Sequence, residues 1–235
     1  MVLHHPYQLS RALPRLATIL PLSLLLGAGA CGEARQTDEP PEQQHPAVAP
    51  RPDALQDTLL IEGMPEATTL RLFTTPGFAT PFSTYVPDGI DASIETPGDT
   101  GTVRFTASFT GKADPNAYMH VRIYATGTEL PQAREMVAGF LRSRRPVDDP
   151  LGTSDQEEAY QPVDSPEWGL EAYSFQYEGA PNVLYVGRAI IASHGARLFH
   201  VLMHYPAEYG DGLVPRFDRT LDLWRWDDTN EMLRR

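Results

Sequence analysis

The sequence predicts an α+β fold in which helices cover an antiparallel β-sheet. Most apolar segments after residue 57 alternate with polar residues at a period of two, which is typical of half-buried strands. Two segments, Leu130–Arg142 and Leu213–Leu223, instead place apolar residues three and four apart, as an amphipathic helix does. Because strands do not alternate one to one with helices, an antiparallel sheet is favoured over a parallel βαβ array.

The first half of this domain reads as strands and turns. Thr58–Glu62 and Thr69–Phe73 are short apolar stretches separated by Gly63 and Pro65, and together they predict a hairpin. Three longer alternating segments follow, over 82–89, 102–109 and 118–125. The first of them ends at Pro87-Asp88-Gly89, whose residue types favour a tight turn.

The second half begins with the helix Leu130–Arg142, which Thr128 and Pro131 suit as a start. A polar loop over 147–165 comes next, and then a strand over 168–177. A hairpin over 183–193 and 196–205 should turn at His194-Gly195, with Ser193 paired to Ala196. Both faces of this hairpin are largely apolar, so we expect both to be covered. The helix Leu213–Leu223 and a terminal strand over 224–226 complete the domain.

The N-terminus has the composition of an export signal. Arg11 and Arg15 precede an apolar stretch over 16–28, and no acidic residue lies before Cys31. The stretch is shorter than the roughly 20 apolar residues that span a membrane. Small residues then lead to Cys31, the only cysteine in the chain. A single cysteine cannot form an intrachain disulfide, so its position at the end of the signal is informative.

Leu26-Gly27-Ala28-Gly29-Ala30-Cys31 resembles the lipobox of bacterial lipoproteins, with Ala28 at the place that usually holds an aliphatic residue. The resemblance implies that residues 1–30 are removed and that Cys31 becomes the lipidated N-terminus in the cell envelope, facing the periplasm. Gly32 follows where an aspartate would favour inner-membrane retention, which favours the outer membrane. The alternatives are an ordinary secretory signal cleaved after Ala28 or Ala30, and a retained signal anchor.

Charge and composition divide the remainder into a tether and a domain. All 31 acidic residues follow Cys31, as do 17 of the 19 basic residues, so residues 31–235 carry a formal charge of −14. This acidity disfavours nucleic acid, whose binding depends on Lys and Arg. Residues 31–56 are rich in Pro, Glu, Gln and Ala and predict a disordered, lipidated tether. Residues 57–235 are enough for a single domain.

The domain resembles the Mog/PsbP-like family at both ends. Phe82-Ser83-Thr84-Tyr85-Val86-Pro87-Asp88-Gly89 is similar to the family's opening strand, although Ile90 stands where tryptophan is common. The segments 196–201, 205–209 and 221–226 are similar to its last strand, last helix and terminal aromatic strand. The resemblance implies an α/β/α sandwich. It does not imply an activity, although most members of the family act by binding proteins, and a likeness of fold is only an analogy for function.

Candidate site residues are few. His200 and His204 are four apart, but on a strand they would lie about 13 Å apart and could not share one metal ion. The acidic loop lacks the spacing of a known calcium loop, so a solvated loop is the simpler interpretation. Three tryptophans are candidates for an exposed binding surface, with core packing as the alternative for the last two, and they are Trp168, Trp224 and Trp226.

These observations lead to one preferred function and two alternatives. We expect a membrane-anchored lipoprotein that acts as a non-catalytic protein-binding module in the cell envelope. A lipoprotein that binds a small ligand or a metal ion is the alternative, and an enzyme of unfamiliar type is the third possibility. The sequence contains no Gly-x-Ser-x-Gly elbow and no Gly-rich phosphate loop, so we expect no catalytic residue, metal or cofactor.

Overall fold

The structure, a computed structural model, describes residues 50–109, 111–143, 160–179 and 182–234, all within the unit Ala47–Arg235. The strands are β1 (Ala54–Ile61), β2 (Met64–Thr74), β3 (Phe82–Pro87), β4 (Ile90–Thr96), β5 (Thr102–Ala107), β6 (Tyr118–Ile123), β7 (Tyr160–Val163), β8 (Gly169–Gly179), β9 (Val183–His194), β10 (Arg197–Pro206) and β11 (Arg225–Trp226). The helices are α1 (Leu130–Arg142) and α2 (Gly210–Asp222), with a 3-10 turn at Ala207–Tyr209 before α2.

The strands form two antiparallel sheets. The larger sheet has seven strands in the order β4-β5-β6-β10-β9-β8-β7, and the smaller has four in the order β1-β2-β3-β11. The chain passes from the small sheet to the large one between β3 and β4, where Gly89 has a φ of +82°. A glycine suits this turn because other residues rarely adopt a positive φ.

The predicted fold class, helices covering an antiparallel sheet, is wrong. The described residues are 52% strand and 17% helix, and they form two sheets with two α-helices. The reason is the N-terminal hairpin, whose strands are longer than the sequence suggested. Glu62 and Gly63, both at positive φ, close a two-residue turn that lets β1 pair with β2 along its whole length. The α/β/α sandwich implied by the Mog/PsbP-like resemblance is therefore wrong as well.

A buried arginine joins the small sheet to α2. Arg216 donates from Nε to the carbonyl of Asp88 at 3.2 Å and from one terminal nitrogen to the carbonyl of Gly212 at 2.6 Å. Its other terminal nitrogen pairs with Glu66 on β2. Because a buried guanidinium must satisfy its donors, these contacts fix the position of α2 against the strands.

The large sheet has a hydrophobic core on each face. One core lies among β3, α2 and the odd-numbered residues of β5, β6 and β10, and its largest members include Phe82, Phe105, Phe199, Phe217 and Trp224. The other lies beneath α1, where Ala133, Val137 and Leu141 pack with residues of β8, β9 and β10. Both faces of the central hairpin are covered over 189–192 and 199–204, but the start of β9 is not, since Leu184 is 43% exposed. The prediction that both faces are covered therefore holds only for part of the hairpin.

Several elements match their predictions closely, and the differences are local. The helix over 130–142 is confirmed residue for residue. The central hairpin pairs Ser193 with Leu198, so its register differs by two residues from the prediction. A shift of two preserves which side chains share a face, because side chains alternate with a period of two. At the N-terminus, β1 begins at Ala54, inside the segment predicted as tether.

Candidate functional site

The structure buries two of the three candidate tryptophans. Trp224 is fully buried and Trp226 is 3% exposed. The ring of Trp224 stacks on Phe82 with centroids 3.5 Å apart, and the ring of Trp226 stacks on His194 at 4.2 Å. Trp226 belongs to β11, which pairs with β3. Both side chains are therefore part of the core and its edge, as the core-packing alternative holds, and neither offers a recognition surface.

Trp168 is half-buried and lies in the turn immediately before β8. A turn in which the amide of Gly169 donates to the carbonyl of Pro166 at 2.8 Å precedes the strand. The indole ring lies parallel to Phe199, with centroids 6.5 Å apart, and the guanidinium carbon of Arg234 is 5.9 Å from the ring centroid. The hydrophobic core thus holds Trp168 on one side and leaves part of it accessible.

Trp168 lines a pocket of about 540 Å³. The pocket lies where the loop before β8, the middle of β9 and the C-terminal segment meet. Its lining residues are Pro166, Glu167, Trp168, Arg188, Ile190, Leu233 and Arg234. The volume is within the range of small-ligand sites, about 300–1,000 Å³.

The two arginines of this pocket differ in their electrostatic state. Arg234 forms ion pairs with Asp218 at 2.9 Å and Asp222 at 2.7 Å, which neutralise its charge. Arg188 donates one hydrogen bond, at 2.6 Å, to the backbone carbonyl of Asp164. Within the described residues Arg188 has no carboxylate partner, and its buried Nε, like that of Arg234, has no hydrogen-bond acceptor. The pocket therefore contains one cation whose charge the described residues do not balance.

The sheet beside the pocket carries an open face, which we define by eight residues of β7, β8 and β9. Val163, Ala172 and Ile190 lie side by side across these strands, so the even-numbered residues of β8 and β9 share the side on which Val163 lies. Leu184 is 43% exposed and Val163 is 39% exposed. The eight residues are Gln161, Val163, Ser174, Gln176, Glu178, Leu184, Val186 and Arg188, and all of them are exposed or half-buried.

The reverse side of β8 and β9 is buried over its central residues. Tyr173, Phe175, Ala189 and Ile191 pack in the core beneath α1. Sheet strands with one buried side normally present polar residues on the other. Here the outer side includes Leu184, Val186 and Val163, and Leu170, in the bulge near the start of β8, is 49% exposed. Leu184 and Val186, two residues apart on β9, form a short apolar strip, whereas Val163 lies apart from them beside Ala172 and Ile190. An apolar strip on a strand that leads to a pocket is an arrangement expected of a contact surface.

A chain of hydrogen-bonded side chains runs beneath α1. Nδ1 of His200 is 2.6 Å from the hydroxyl of Tyr124, and Nε2 of His200 is 3.2 Å from Nδ1 of His120. Nε2 of His120 is 3.6 Å from Oε2 of Glu95. A neutral histidine has one donor and one acceptor nitrogen, so these distances fit a chain in which each group donates towards Glu95.

Burial sets the protonation of this chain. Desolvation, followed by the charges of His120 and Arg122, holds the pKa of His200 well below its usual value. Desolvation also raises the pKa of Tyr124 above its ordinary value. The tyrosine hydroxyl therefore keeps its proton near neutral pH, which is unfavourable for a nucleophile or a base. This series of hydrogen bonds connects β4, β6 and β10, and its geometry is that of a structural network.

His204 has separate partners from His200. Its Nε2 lies 2.6 Å from the hydroxyl of Tyr177, and its Nδ1 lies 2.7 Å from the carbonyl of Asn116. The rings of Tyr118 and Tyr185 stack against the imidazole, with centroids 5.0 and 5.1 Å away. Among the described residues no group of three or more His, Cys, Asp or Glu side chains could hold a metal ion. Both histidines are buried and hydrogen-bonded, each to its own partners.

Some predicted residues lie outside the part of the chain that the structure describes. They include Cys31, the signal segment 1–30 and the acidic residues over 148–158. No helix within the described ranges is long and apolar enough to cross a membrane.

Sequence reasoning missed Arg188 and the pairing of His120 with His200. Arg188 sits at an even-numbered position among Leu184, Val186 and Ile190, and a charge within an apolar face is a usable signal. The pairing of β6 with β10, which brings His120 close to His200, could not be found without knowledge of strand order.

No family model matches this chain, and no curated protein matches it with significance.

Proposed function

We propose that this protein is a non-catalytic binding module, anchored to an envelope membrane through Cys31, that binds a protein partner in the periplasm through the open face. The apolar strip on the open face is the observation that carries the proposal. Leu184 is 43% exposed and its neighbour Val186 is half-buried, although Phe175, Ala189 and Ile191 on the opposite side of β8 and β9 pack in the core. Apolar side chains beside a pocket are typical sites of protein contact.

The partner's chemistry follows from the same surface. Leu184 and Val186 would contact apolar side chains of the partner. Arg188, which has no carboxylate partner among the described residues, would pair with a carboxylate of the partner. A second copy of the chain fits less well, because each copy carries a formal charge of −14 over residues 31–235 and copies repel one another. A different protein, with an acidic residue next to apolar ones, is the occupant that we propose.

A glutamate in the apolar strip tests this surface. We expect Leu184→Glu to lower crosslinked capture of the principal partner from native membranes by about tenfold or more, because a buried charge without a counter-ion would face the partner. Ile94→Glu is the matched control, since Ile94 is 40% exposed on β4 at the opposite edge of the same sheet. Equal capture by both variants, with unchanged melting temperatures, would refute the proposed surface.

The anchor is supported by the lipobox-like sequence ending at Cys31. Acyl chains stabilise membrane attachment by about 0.8 kcal/mol per buried methylene, so two or three chains hold a protein stably. We expect Cys31→Ser to move the protein from the membrane fraction to the soluble periplasmic fraction. Continued membrane association of this variant would contradict lipid anchoring. Outer-membrane placement, which Gly32 favours, is tested by separating the two membranes on a density gradient.

Binding of a small ligand is a second candidate, and the pocket beside Trp168 is the observation that favours it. The pocket has a suitable volume, three apolar walls and one arginine with spare donors. The two candidates are compatible, because the pocket adjoins the open face through Arg188 and Ile190. In the first candidate function a side chain of the protein partner enters the pocket, and in the second a free small molecule does.

A further inference from the structure

The pocket beside Trp168 combines one available guanidinium with an apolar lining. A guanidinium has five N–H donors, and Arg188 uses one of them for the carbonyl of Asp164. Most other arginines in the described residues have a carboxylate within ion-pair distance, and these are Arg71, Arg104, Arg134, Arg142, Arg197, Arg216, Arg219 and Arg234. In a chain with such an excess of acid, an arginine at a pocket without a described carboxylate partner is a candidate for binding an external one.

The charge around the pocket selects among anions. Arg234 is already paired with Asp218 and Asp222, and Glu167 lies on the rim. A phosphate dianion would lie near Glu167 and near an arginine whose charge two carboxylates already balance, and among the described lining residues Arg188 alone would compensate it. A single carboxylate matches the single unbalanced cation, and it can accept two parallel hydrogen bonds from the guanidinium.

The remaining walls define what the carboxylate is attached to. Trp168, Ile190 and Leu233 contribute apolar surface, and Trp168 is held in place by its stacking on Phe199. A volume of about 540 Å³ accommodates one aromatic or branched aliphatic group with its carboxylate. An aromatic group would gain the most binding free energy, since its large flat surface can lie along these apolar walls.

We propose that this pocket is a binding site for a carboxylate joined to an apolar group, with Arg188 as the anion contact and Trp168, Ile190 and Leu233 as the apolar contact. The inference deepens the proposed function, on which it rests, by naming the chemistry recognised beside the open face. Two sources can present this chemistry: a residue of the protein partner, or a free small carboxylic acid. The site itself is the same in both cases.

The site is tested on the purified full-length protein by NMR titration with N-acetylphenylalanine. We expect shifts of the amide signals of Trp168, Gly169 and Arg188, and no shifts on β4. N-acetylphenylalaninamide has the same shape without the charge, and we expect it to bind about tenfold or more weakly. Equal binding of acid and amide, or shifts spread over the whole protein, would overturn the proposal.

Arg188→Gln and Arg188→Lys separate charge from geometry. We expect Arg188→Gln to lower the affinity for N-acetylphenylalanine about tenfold or more while leaving the weak binding of the amide unchanged. Arg188→Lys should recover only part of the affinity, because an ammonium cannot form the two parallel hydrogen bonds. Arg71→Gln is the control, since Arg71 is an exposed arginine paired with Asp88 on the small sheet. Undiminished binding by Arg188→Gln would overturn the assignment.

Partner capture then distinguishes the two sources and keeps the two proposals separable. If Arg188→Gln lowers both probe binding and partner capture, the partner supplies the carboxylate. If it lowers probe binding and leaves capture unchanged, the pocket takes a free carboxylic acid. Leu184→Glu should leave probe binding intact, so a failure of capture in that variant reports on the open face alone.

Discussion

At the scale of single residues, buried polar groups determine how this protein responds to pH. His200 is buried between Tyr124 and His120, and desolvation lowers its pKa well below the usual value. In the unfolded chain the same side chain has a pKa of about 6.5. Below that pH the unfolded state binds a proton that the folded state excludes. The folded protein therefore loses stability as the pH falls below about 6.5.

The consequence is measurable by denaturation at several pH values. We expect the free energy of unfolding to fall by up to about 1.4 kcal/mol per pH unit for this one proton between pH 6.5 and pH 5. His200→Gln cannot take up that proton, so its stability should depend less steeply on pH by up to this amount. The measurement is urea unfolding at pH 7.5, 6.0 and 5.0. Identical slopes for both proteins would show that His200 is not responsible.

Tyr124 links the same network to α1. Its hydroxyl lies 2.6 Å from Nδ1 of His200 and 3.4 Å from the carbonyl of Ala133. Tyr124→Phe removes the hydroxyl and leaves a buried imidazole nitrogen without its partner, which costs about 1–3 kcal/mol. Chemical denaturation of Tyr124→Phe measures this loss, and the double variant with His200→Leu should recover part of it. A stability equal to the wild type would show that the hydrogen bond contributes nothing.

At the scale of elements, the central hairpin depends on close backbone approach at Gly187. A Cβ atom at this position would lie 2.0 Å from the carbonyl oxygen of Met203 on β10 and 2.3 Å from the ring of Phe175 on β8. Neither neighbour can move without a large energetic cost, because one is a backbone atom of β10 and the other is a buried side chain of the core. Only glycine lets β8, β9 and β10 pack at this spacing, and these strands position the open face.

Alanine substitution tests this requirement. We expect Gly187→Ala to lower the free energy of unfolding by about 1–3 kcal/mol or more, because the core must distort. Gly77→Ala is the control, since its Cβ would meet nothing closer than Pro97 at 3.9 Å, and it should change stability by less than about 0.5 kcal/mol. Thermal melting compares the two variants, and equal melting temperatures would contradict this account of the hairpin.

At the scale of the whole molecule, the local sequence pattern predicted individual helices and strands better than the way in which they assemble into sheets. The period of α1 is unambiguous over 130–142, and the alternation over 183–205 sorts its side chains correctly between two faces. The small sheet escaped prediction because β1 begins in a segment with the composition of a tether, and because the pairing of β11 with β3 joins residues far apart in sequence.

The candidate site was only partly predictable for the same reason. Trp168 is recognisable as a large aromatic residue between loop and strand, and the structure places it at the pocket. Leu233 and Arg234 come from the C-terminal segment, and no sequence pattern connects them with Arg188 on β9. Long-range packing, which brings these segments together, leaves no periodic signal in a single sequence.

Site-specific photocrosslinking in native membranes tests the central claim, binding through the open face, most directly. A photoreactive amino acid at Gln176, an exposed residue of the open face, should give one predominant adduct with another envelope protein. The same group at Thr96, exposed on β4 at the opposite edge of the sheet, should give none. Adducts of equal yield from both positions, or none from Gln176 under conditions where Thr96 crosslinks, would contradict the proposed binding surface.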